Sequence, residues 1–348
     1  MRADRYGALA AATTLLLAWV GPCGAQAQQP PAYTITRSVP LGAPDRWDYV
    51  VFDPGSRRVY VAHGDRVTVV DGVSGSIIGQ VTGYPGGTHG IAIAGALGRG
   101  FTDDGEAGEA GEFDVATLKT VKRIRAADDA DSIVFDAVSG HVFVVNGDSG
   151  TITVIDPRTE TAVATVAVGE KLETAVAGKD GKIYVNGAGN NDIVRLDAAS
   201  NRIDAHWPVA GCKSPHGLAI DASSRRLFSS CVNKVLVVVN LDSGALLATL
   251  PIGAGTDAAA FDPRRKLIFS SNGRDGTLSV IREKDPATFV VVATVNTAIS
   301  ARTMDLDPES GRLYLVAADT QATANPAEGR RPPIVPGSLK LLFLDPKP

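Results

Sequence analysis

The sequence predicts an all-β protein made of seven similar units. One order of strand, turn and strand recurs about every forty residues, a period typical of stacked repeat proteins. Four clear copies share this order and occupy 50–75, 133–160, 218–244 and 259–285. Weaker copies at 89–124 and 173–203 fill the gaps between them, and a last unit follows. Seven units of this length predict a seven-bladed β-propeller of four-stranded blades.

Within each unit, the residue pattern favours strands. Polar and apolar residues alternate from Thr151 to Asp156, and the other runs are rich in Val, Ile and Thr. The first strand ends in aspartate in the four clear units and in the last unit, at Asp53, Asp136, Asp221, Asp262 and Asp307. A carboxylate at this position accepts nearby backbone N–H groups, so we expect these aspartates to stabilise turns.

The two ends of the chain predict how the ring closes. Fourth strands end in similar motifs, ATVAVG at 164–169 and ATLPIG at 248–253, and the N-terminal stretch 35–42 ends in the same way. The last unit stops after its third strand, at 339–344. We therefore expect the N-terminal strand to complete the C-terminal blade, which removes two open sheet edges.

Residues 1–27 have the pattern of a secretory signal peptide. Two arginines precede an apolar run over 8–20, and Ala25-Gln26-Ala27 forms a small-x-small cleavage signal. We expect cleavage after Ala27, a periplasmic or secreted protein, and a single propeller domain over 28–348. No other segment reaches the roughly twenty apolar residues of a membrane helix, so no membrane span is expected. We also expect a monomer.

The charge of the exported chain argues against nucleic acid as a partner. Without residues 1–27, the 34 basic side chains become 32 and the 38 acidic ones become 37. The difference leaves a net charge of about −5, which gives no general attraction to nucleic acid or anionic lipid.

Two cysteines remain after cleavage. Cys212 lies just before the first strand of the fifth unit, and Cys231 lies between the second and third strands of that unit. Both places are on one face of one blade, so we predict a disulfide in an oxidising compartment. The alternative is a pair of free buried thiols, because a bridge requires a short Cα separation.

The residues that precede the first strands are candidates for a binding site, because these strands surround the central channel. One mouth of the channel would carry Asp48, His89, Asp131, Glu173, His216, Asp257 and Arg302, with His63 on a turn of the same face. We expect this face to bind a polar ligand, or a divalent metal held by His89, His216 and Glu173. The alternative is that both histidines are structural and hydrogen-bond to neighbouring backbone groups. His141 and His206 are expected to have ordinary surface roles.

Two connections depart from the repeat. The seventh unit has a long, proline-rich connection from Asp319 to Gly337, which would project over the same face. Its Arg330 and Arg331 would meet an anion, or the whole segment would be a disordered surface insertion. The acidic, glycine-rich turn from Asp103 to Glu112 is expected to be mobile.

Motifs of common enzymes are missing from the sequence. It has no Gly-x-Ser-x-Gly, no His-Glu-x-x-His and no Gly-x-x-x-x-Gly-Lys pattern. The repeats at 51–71, 142–156 and 182–197 resemble the YVTN family of propeller repeats, in particular its exported YncE-like members. The resemblance implies a binding or scaffold module for a protein or small polar ligand, with no chemistry of its own.

Two alternative functions remain open. Propellers similar to this family include lactonases and lyases, so the first alternative is a metal-dependent, lactonase-like hydrolase or lyase at the channel mouth. The second is single-stranded nucleic-acid binding, which the negative charge and the 6% aromatic content disfavour. It would require a local patch formed by Arg46, Trp47, Arg274, Arg302, Arg330 and Arg331.

Overall fold

Seven antiparallel sheets of four strands each make up the computed structural model, which describes Met1 and residues 32–321 and 332–347. The predicted signal peptide, apart from Met1, lies outside the described residues, as do Arg330 and Arg331. The first strand of each sheet contacts the first strands of its neighbours, so these strands surround the central axis. The prediction of a seven-bladed, four-stranded propeller is confirmed.

The blades are numbered along the chain, and within each blade the strands are given in order from the central axis outwards. The strands of blades 1 to 3 are β2 (Val50–Asp53), β3 (Arg58–His63), β4 (Arg66–Asp71), β5 (Ile77–Thr82), β6 (Ile91–Ala94), β7 (Arg99–Asp104), β8 (Glu109–Asp114), β9 (Thr120–Arg125), β10 (Ala130–Asp136), β11 (His141–Asn146), β12 (Thr151–Asp156) and β13 (Thr161–Ala167). A short 3₁₀ turn, Gly95–Leu97, joins β6 to β7.

The remaining blades follow the same order. The strands of blades 4 to 6 are β14 (Leu172–Ala177), β15 (Lys182–Gly187), β16 (Asp192–Asp197), β17 (Arg202–Pro208), β18 (Pro215–Asp221), β19 (Arg226–Cys231), β20 (Val235–Asn240), β21 (Leu246–Pro251), β22 (Thr256–Asp262), β23 (Leu267–Asn272), β24 (Thr277–Asp285) and β25 (Thr288–Asn296). Blade 7 contains β26 (Thr303–Leu306), β27 (Leu313–Ala317), β28 (Lys340–Pro346) and β1 (Tyr33–Pro40).

Ring closure joins the two ends of the chain. Strand β1 pairs antiparallel with β28, from Tyr33 opposite Pro346 to Pro40 opposite Lys340. The predicted completion of the last blade by the N-terminal strand is therefore confirmed. The pairing covers edges that would otherwise be open to other strands.

The hydrophobic core is divided among the blade interfaces. Each of seven clusters of buried side chains joins one blade to the next. Large rings fill these layers, for example Tyr60 against Phe113 between blades 1 and 2, at 6.2 Å between ring centroids. Full burial of such a side chain contributes about 2 kcal/mol, so stability is distributed around the ring.

The recurrent aspartates stabilise turns, as predicted. Asp262 accepts the backbone N–H groups of Arg264 and Arg265, both at 2.9 Å. Asp307 likewise accepts the N–H of Glu309 at 2.9 Å. The same role is seen at Asp53, Asp136 and Asp221. These side chains satisfy backbone donors that the turn leaves without strand partners.

The predicted disulfide is confirmed. Cys212 and Cys231 are bonded, with 5.5 Å between their Cα atoms, and both are buried. The bridge ties the chain that enters blade 5 to the end of its second strand. Closing a loop of this size stabilises a fold by about 3 kcal/mol.

The acidic segment of blade 2 is a short hairpin, whereas the sequence predicted a longer turn over 103–112. Its residues form the end of β7 and the start of β8, joined by a four-residue turn. Gly105 and Gly108 lie in that turn, whereas Gly111 lies in β8. A Cβ on Gly111 would lie 2.3 Å from the ring of Tyr84, so glycine is needed there for the ring to pack.

In the described part of the chain, no helix has the length and apolarity needed to cross a membrane.

Candidate functional site

The ring of predicted site residues lies at one mouth of the channel. Each of the seven lies within the first residues of an innermost strand or just before it. The carboxyl groups of Asp48, Asp131 and Glu173 influence one another electrostatically, which shows that blades 1, 3 and 4 converge there. The mouth is therefore rich in acidic groups, and the sequence predicted this concentration from strand starts alone.

Tyr49 crosses the channel just inside this mouth. Its hydroxyl lies 2.9 Å from Thr174 Oγ1, which joins blade 1 directly to blade 4. Burial, followed by the charges of Asp131 and Asp48, raises the pKa of Tyr49 well above its ordinary value. The sequence analysis missed this residue, although it directly follows the ring residue Asp48. The side chain therefore joins two blades beside the acidic groups of the mouth.

Two acids at the mouth hold their protons to an unusually high pH. Burial, followed by the neighbouring charges of Asp48 and Glu173, raises the pKa of Asp131 well above its ordinary value. Burial also raises the pKa of Glu173 to about 7, although the neighbouring imidazole of His216 opposes this. His216 Nε2 lies 3.7 Å from Glu173 Oε1. The carboxyl group of Glu173 therefore exchanges its proton near neutral pH.

His89 belongs to a separate network. Its Nδ1 lies 3.2 Å from Asp103 Oδ1, and its Nε2 lies 3.2 Å from Arg46 Nη2. Burial lowers the pKa of His89, but the hydrogen bond and charge of Asp103 prevail and raise it. Burial in turn raises the pKa of Asp103 to about 7. Asp103 also accepts the backbone N–H groups of His89 and Gly90, which fixes this turn.

The residues predicted to hold a metal are not brought together as a set of three. His89 points to Asp103 and Arg46 in one part of the mouth, whereas His216 and Glu173 meet between blades 4 and 5. Among the described residues, one group of three brings its possible ligand atoms within 4.8 Å of one another. That group is Glu170, Asp192 and His206, in the outer part of blade 4.

His63 does not face a surface ligand. The residue is fully buried, with Nδ1 at 2.9 Å from Thr68 Oγ1 and Nε2 at 2.7 Å from the Pro44 carbonyl. Burial lowers its pKa, which favours the neutral ring. His63 therefore has a structural role, and its predicted place among the ligand-binding residues of this face is corrected.

Asp257 and Arg302 form a fixed pair on the other side of the mouth. Arg302 Nε lies 2.7 Å from Asp257 Oδ2, and Arg302 Nη2 donates to the Trp47 carbonyl at 2.7 Å. The guanidinium also lies 4.7 Å from the centroid of the Trp47 ring. Three contacts orient this arginine, so little conformational freedom remains to be lost when a ligand binds.

A cavity of about 560 Å³ opens beside this pair. Its lining includes the ring residues His216, Asp257 and Arg302. Further lining residues come from the connections above blades 5 to 7 and from the segment that enters blade 1: Asp45, Arg46, Trp47, Val232, Lys234, Arg274, Ile299, Ser300, Thr320, Pro332 and Ile334. A cavity of this size, with apolar walls and a few polar groups, is typical of small-molecule sites.

The described ends of the long blade 7 connection form one wall of the cavity. Thr320 and Ile334 pair as an isolated antiparallel bridge, and Val335 donates to the Asp319 carbonyl at 2.8 Å. Asp45 Oδ2 accepts the N–H of Gly337 at 2.6 Å, which ties the connection to the chain that enters blade 1. The described ends of the connection thus lie at the face where the sequence placed it, and residues 322–331 lie outside the described residues.

Comparison with known sequences finds two similar proteins. The uncharacterized protein YncE of Salmonella typhimurium is 27% identical over 191 residues, covering 53% of this chain and 52% of that protein. The protein of the same name from Salmonella typhi is 26% identical over 191 residues. The chain thus spans about half the length of the curated relatives it matches. No family model matches the chain.

Comparison with solved structures shows the fold. The RRP9 WD40 repeats superpose with a TM-score of 0.75 at 10% identity, covering 92% of this chain and 99% of that one. The Kuenenia stuttgartiensis hydrazine synthase gives a TM-score of 0.67 at 13% identity, covering 77% and 91%. At such identities the likeness concerns the fold alone. This chain is therefore a seven-bladed β-propeller whose sequence is similar to that of the YncE proteins.

Proposed function

We propose that this protein is an exported, monomeric propeller that binds a small polar ligand or a protein partner on its histidine-bearing face. The observation that carries the proposal is the cavity of about 560 Å³ beside the channel mouth. Its lining includes three of the predicted ring residues, His216, Asp257 and Arg302. Propeller architecture of the YncE-like type supports a scaffold or binding module.

The lining of the cavity suggests the chemistry of the ligand. Arg46, Lys234 and Arg274 are exposed cations at its edge, whereas Ile299 and Ile334 supply apolar surface. A ligand with an anionic group and an apolar part would match both.

The nucleic-acid alternative receives less support. Arg46, Trp47, Arg274 and Arg302 do share the cavity, as the predicted patch required. Trp47, however, is 4% exposed, and Arg302 covers its ring. Stacking of a base requires an open aromatic face, which Trp47 does not offer.

The binding proposal is tested with substitutions of exposed residues, which leave the fold intact. We expect small carboxylates or phosphates from a compound collection to raise the melting temperature of the wild type. The double substitution Lys234→Ala with Arg274→Ala should weaken that binding about tenfold or more, because two charge-assisted contacts are lost. Lys179→Ala, an exposed lysine in a turn outside the cavity lining, is the matched control. Equal binding by the double variant and the wild type would contradict the assignment.

Export is tested separately from binding. Expression of the full chain in a bacterium, followed by mass spectrometry of the periplasmic and secreted fractions, should find a protein that begins after Ala27. An intact N-terminus in the cytoplasm alone would contradict export. Gel filtration of the purified protein at micromolar concentration should give the size of a monomer.

A second candidate function is favoured by one observation. Glu173, with a pKa of about 7, lies beside His216 near the cavity, and a carboxyl of this pKa is suited to general acid–base catalysis. A hydrolase or lyase would use this pair. Lactones and esters should then be hydrolysed by the wild type and not by Glu173→Gln, with the rate rising through pH 7. No turnover by the wild type would exclude the tested substrates.

A further inference from the structure

Blade 4 brings together two acids and a histidine away from the channel mouth. His206, on the outer strand β17, has Nδ1 at 2.9 Å from Asp192 Oδ2 and at 3.8 Å from Glu170 Oε1. Asp192 begins β16, and Glu170 lies in the link that leads into β14. The three side chains come from separate parts of the chain and meet at one point.

The two carboxylates are buried without a matching cation. The side chains of Glu170 and Asp192 are only 3% and 6% exposed. Glu170 Oε1 and Asp192 Oδ1 receive no hydrogen bond within the described residues. In that part of the chain, neither acid is paired with a lysine or an arginine. Burial of two neighbouring carboxylates in this way is costly unless a positive charge joins them.

The surroundings hold the acids in place and keep room between them. Asn190 donates its backbone N–H to Glu170 Oε2 at 2.7 Å, which orients that carboxylate. A Cβ on Gly187 would lie 2.0 Å from Asp192 Oδ1 and 2.8 Å from Glu170 Oε2. The absence of a side chain at Gly187 therefore leaves the space that the carboxylates occupy. Burial and the neighbouring charge of Asp192 raise the pKa of Glu170, as expected for acids held near each other.

We propose that Glu170, Asp192 and His206 bind a divalent transition-metal ion of the zinc type. Carboxylate and imidazole together suit such ions, whereas calcium and magnesium prefer oxygen ligands alone. Tetrahedral zinc with bonds of about 2.1 Å separates its ligand atoms by about 3.4 Å. The distances of 2.9 and 3.8 Å from His206 Nδ1 lie on either side of that value.

The proposed site has an open position. The side chain of His206 is 43% exposed, so its ring forms the solvent side of the group and gives the ion a path of entry. Three protein ligands leave a fourth position for water. This site is independent of the cavity and of any ligand bound there.

The test uses zinc chloride as the probe on the purified full chain. After dialysis against a chelator, calorimetry should show about one equivalent of zinc bound to the wild type. His206→Ala and Asp192→Asn should each weaken binding about 100-fold, because each removes a ligand. His141→Ala, which changes a histidine outside the group, is the matched control and should bind like the wild type. Circular dichroism of the metal-free variants confirms that they fold.

Three outcomes would overturn the proposal. The first is no zinc binding by the wild type, which would mean that the buried acids are accommodated without a metal ion. The second is loss of zinc in a His89→Ala/His216→Ala double variant with retention in His206→Ala, which would place the metal at the channel mouth. The third is binding of calcium in preference to zinc.

Discussion

Blades 2 and 4 carry acids at the same register position but neutralise them by different means. Glu109 begins β8 as Asp192 begins β16. Arg123 and His206 each lie opposite the third residue of those strands. The two blades therefore place a basic side chain at equivalent points of the outer strand, an arginine in one and a histidine in the other.

The difference between arginine and histidine decides whether a blade has a permanent positive charge beside its acids. Arg123 Nη1 lies 3.1 Å from Glu109 Oε2 and 3.6 Å from the buried Asp104. A guanidinium is charged at all physiological pH values, whereas an imidazole is charged only below about pH 6.5 when unperturbed. Blade 2 thus contains its own permanent cation. Blade 4 contains a side chain that ligates a metal when it is neutral.

The largest effect is expected from removal of the cation of blade 2. Arg123→Ala should lower the free energy of unfolding by about 2 kcal/mol, because Asp104 is left buried without a charge partner. The packing of Arg123 over Tyr84 is lost as well. Urea unfolding measures the change. Lys119→Ala, an exposed lysine of the same blade, should change it by less than about 0.5 kcal/mol. Similar losses in both variants would refute the special role of Arg123.

The next effect comes from giving blade 2 the histidine of blade 4. Arg123→His should cost about 1 kcal/mol in the absence of metal, and added zinc should restore the loss. Metal analysis should then find two equivalents of zinc where the wild type has one. If the content stays at one equivalent, the acids of blade 2 and blade 4 are not equivalent in geometry.

The reverse exchange should have a smaller and opposite effect. His206→Arg supplies a permanent cation to Glu170 and Asp192, so the metal-free protein should gain up to about 1 kcal/mol in stability. The same substitution should abolish zinc binding. His206→Gln, which adds no charge, should lose zinc without the gain. A loss of stability in His206→Arg would show that these acids do not require a cation.

The smallest effect is a change in pH dependence. Burial and the charge of Asp192 raise the pKa of Glu170 above its ordinary 4.5, so the folded state binds this proton more tightly than the unfolded state does. The stability of the metal-free protein should therefore fall as pH rises from 4.5 through the folded pKa. Glu170→Gln removes that part of the fall. Urea unfolding from pH 4 to 8 with a chelator compares the slopes, and identical slopes would contradict the raised pKa.

The fold could be predicted because its signals are local and repeated. Each unit carries its own strand pattern, and five of the seven also carry the aspartate turn, so the copies reinforce one interpretation. Ring closure followed from the endings at both termini, and the bridge between Cys212 and Cys231 followed from their places in one blade. The turn predicted over 103–112 was too long, because residues 103–104 and 109–112 belong to strands. Gly111, which makes room for the ring of Tyr84, was interpreted as a loop residue.

The candidate sites were predicted only in part, because side-chain partners depend on contacts between distant segments. Strand starts identified the ring positions, but the partner of His89 is Asp103, which the sequence analysis had placed in the mobile turn. His206 was assigned an ordinary surface role, because its two acids come from the preceding strand and from the link before blade 4. The pairing of β16 with β17 places His206 near Asp192, and a predicted register of these two strands could have indicated the contact.

The pairing of β1 with β28 also sets the order in which the molecule can be completed. The side chain of Thr36 bonds to the carbonyl of Phe343, a contact across 307 positions of the chain. During synthesis, strand β1 has no partner until β28 has been made. Blades 1 to 6 lie between these two strands in the sequence, so the growing chain carries an unpaired strand while they form.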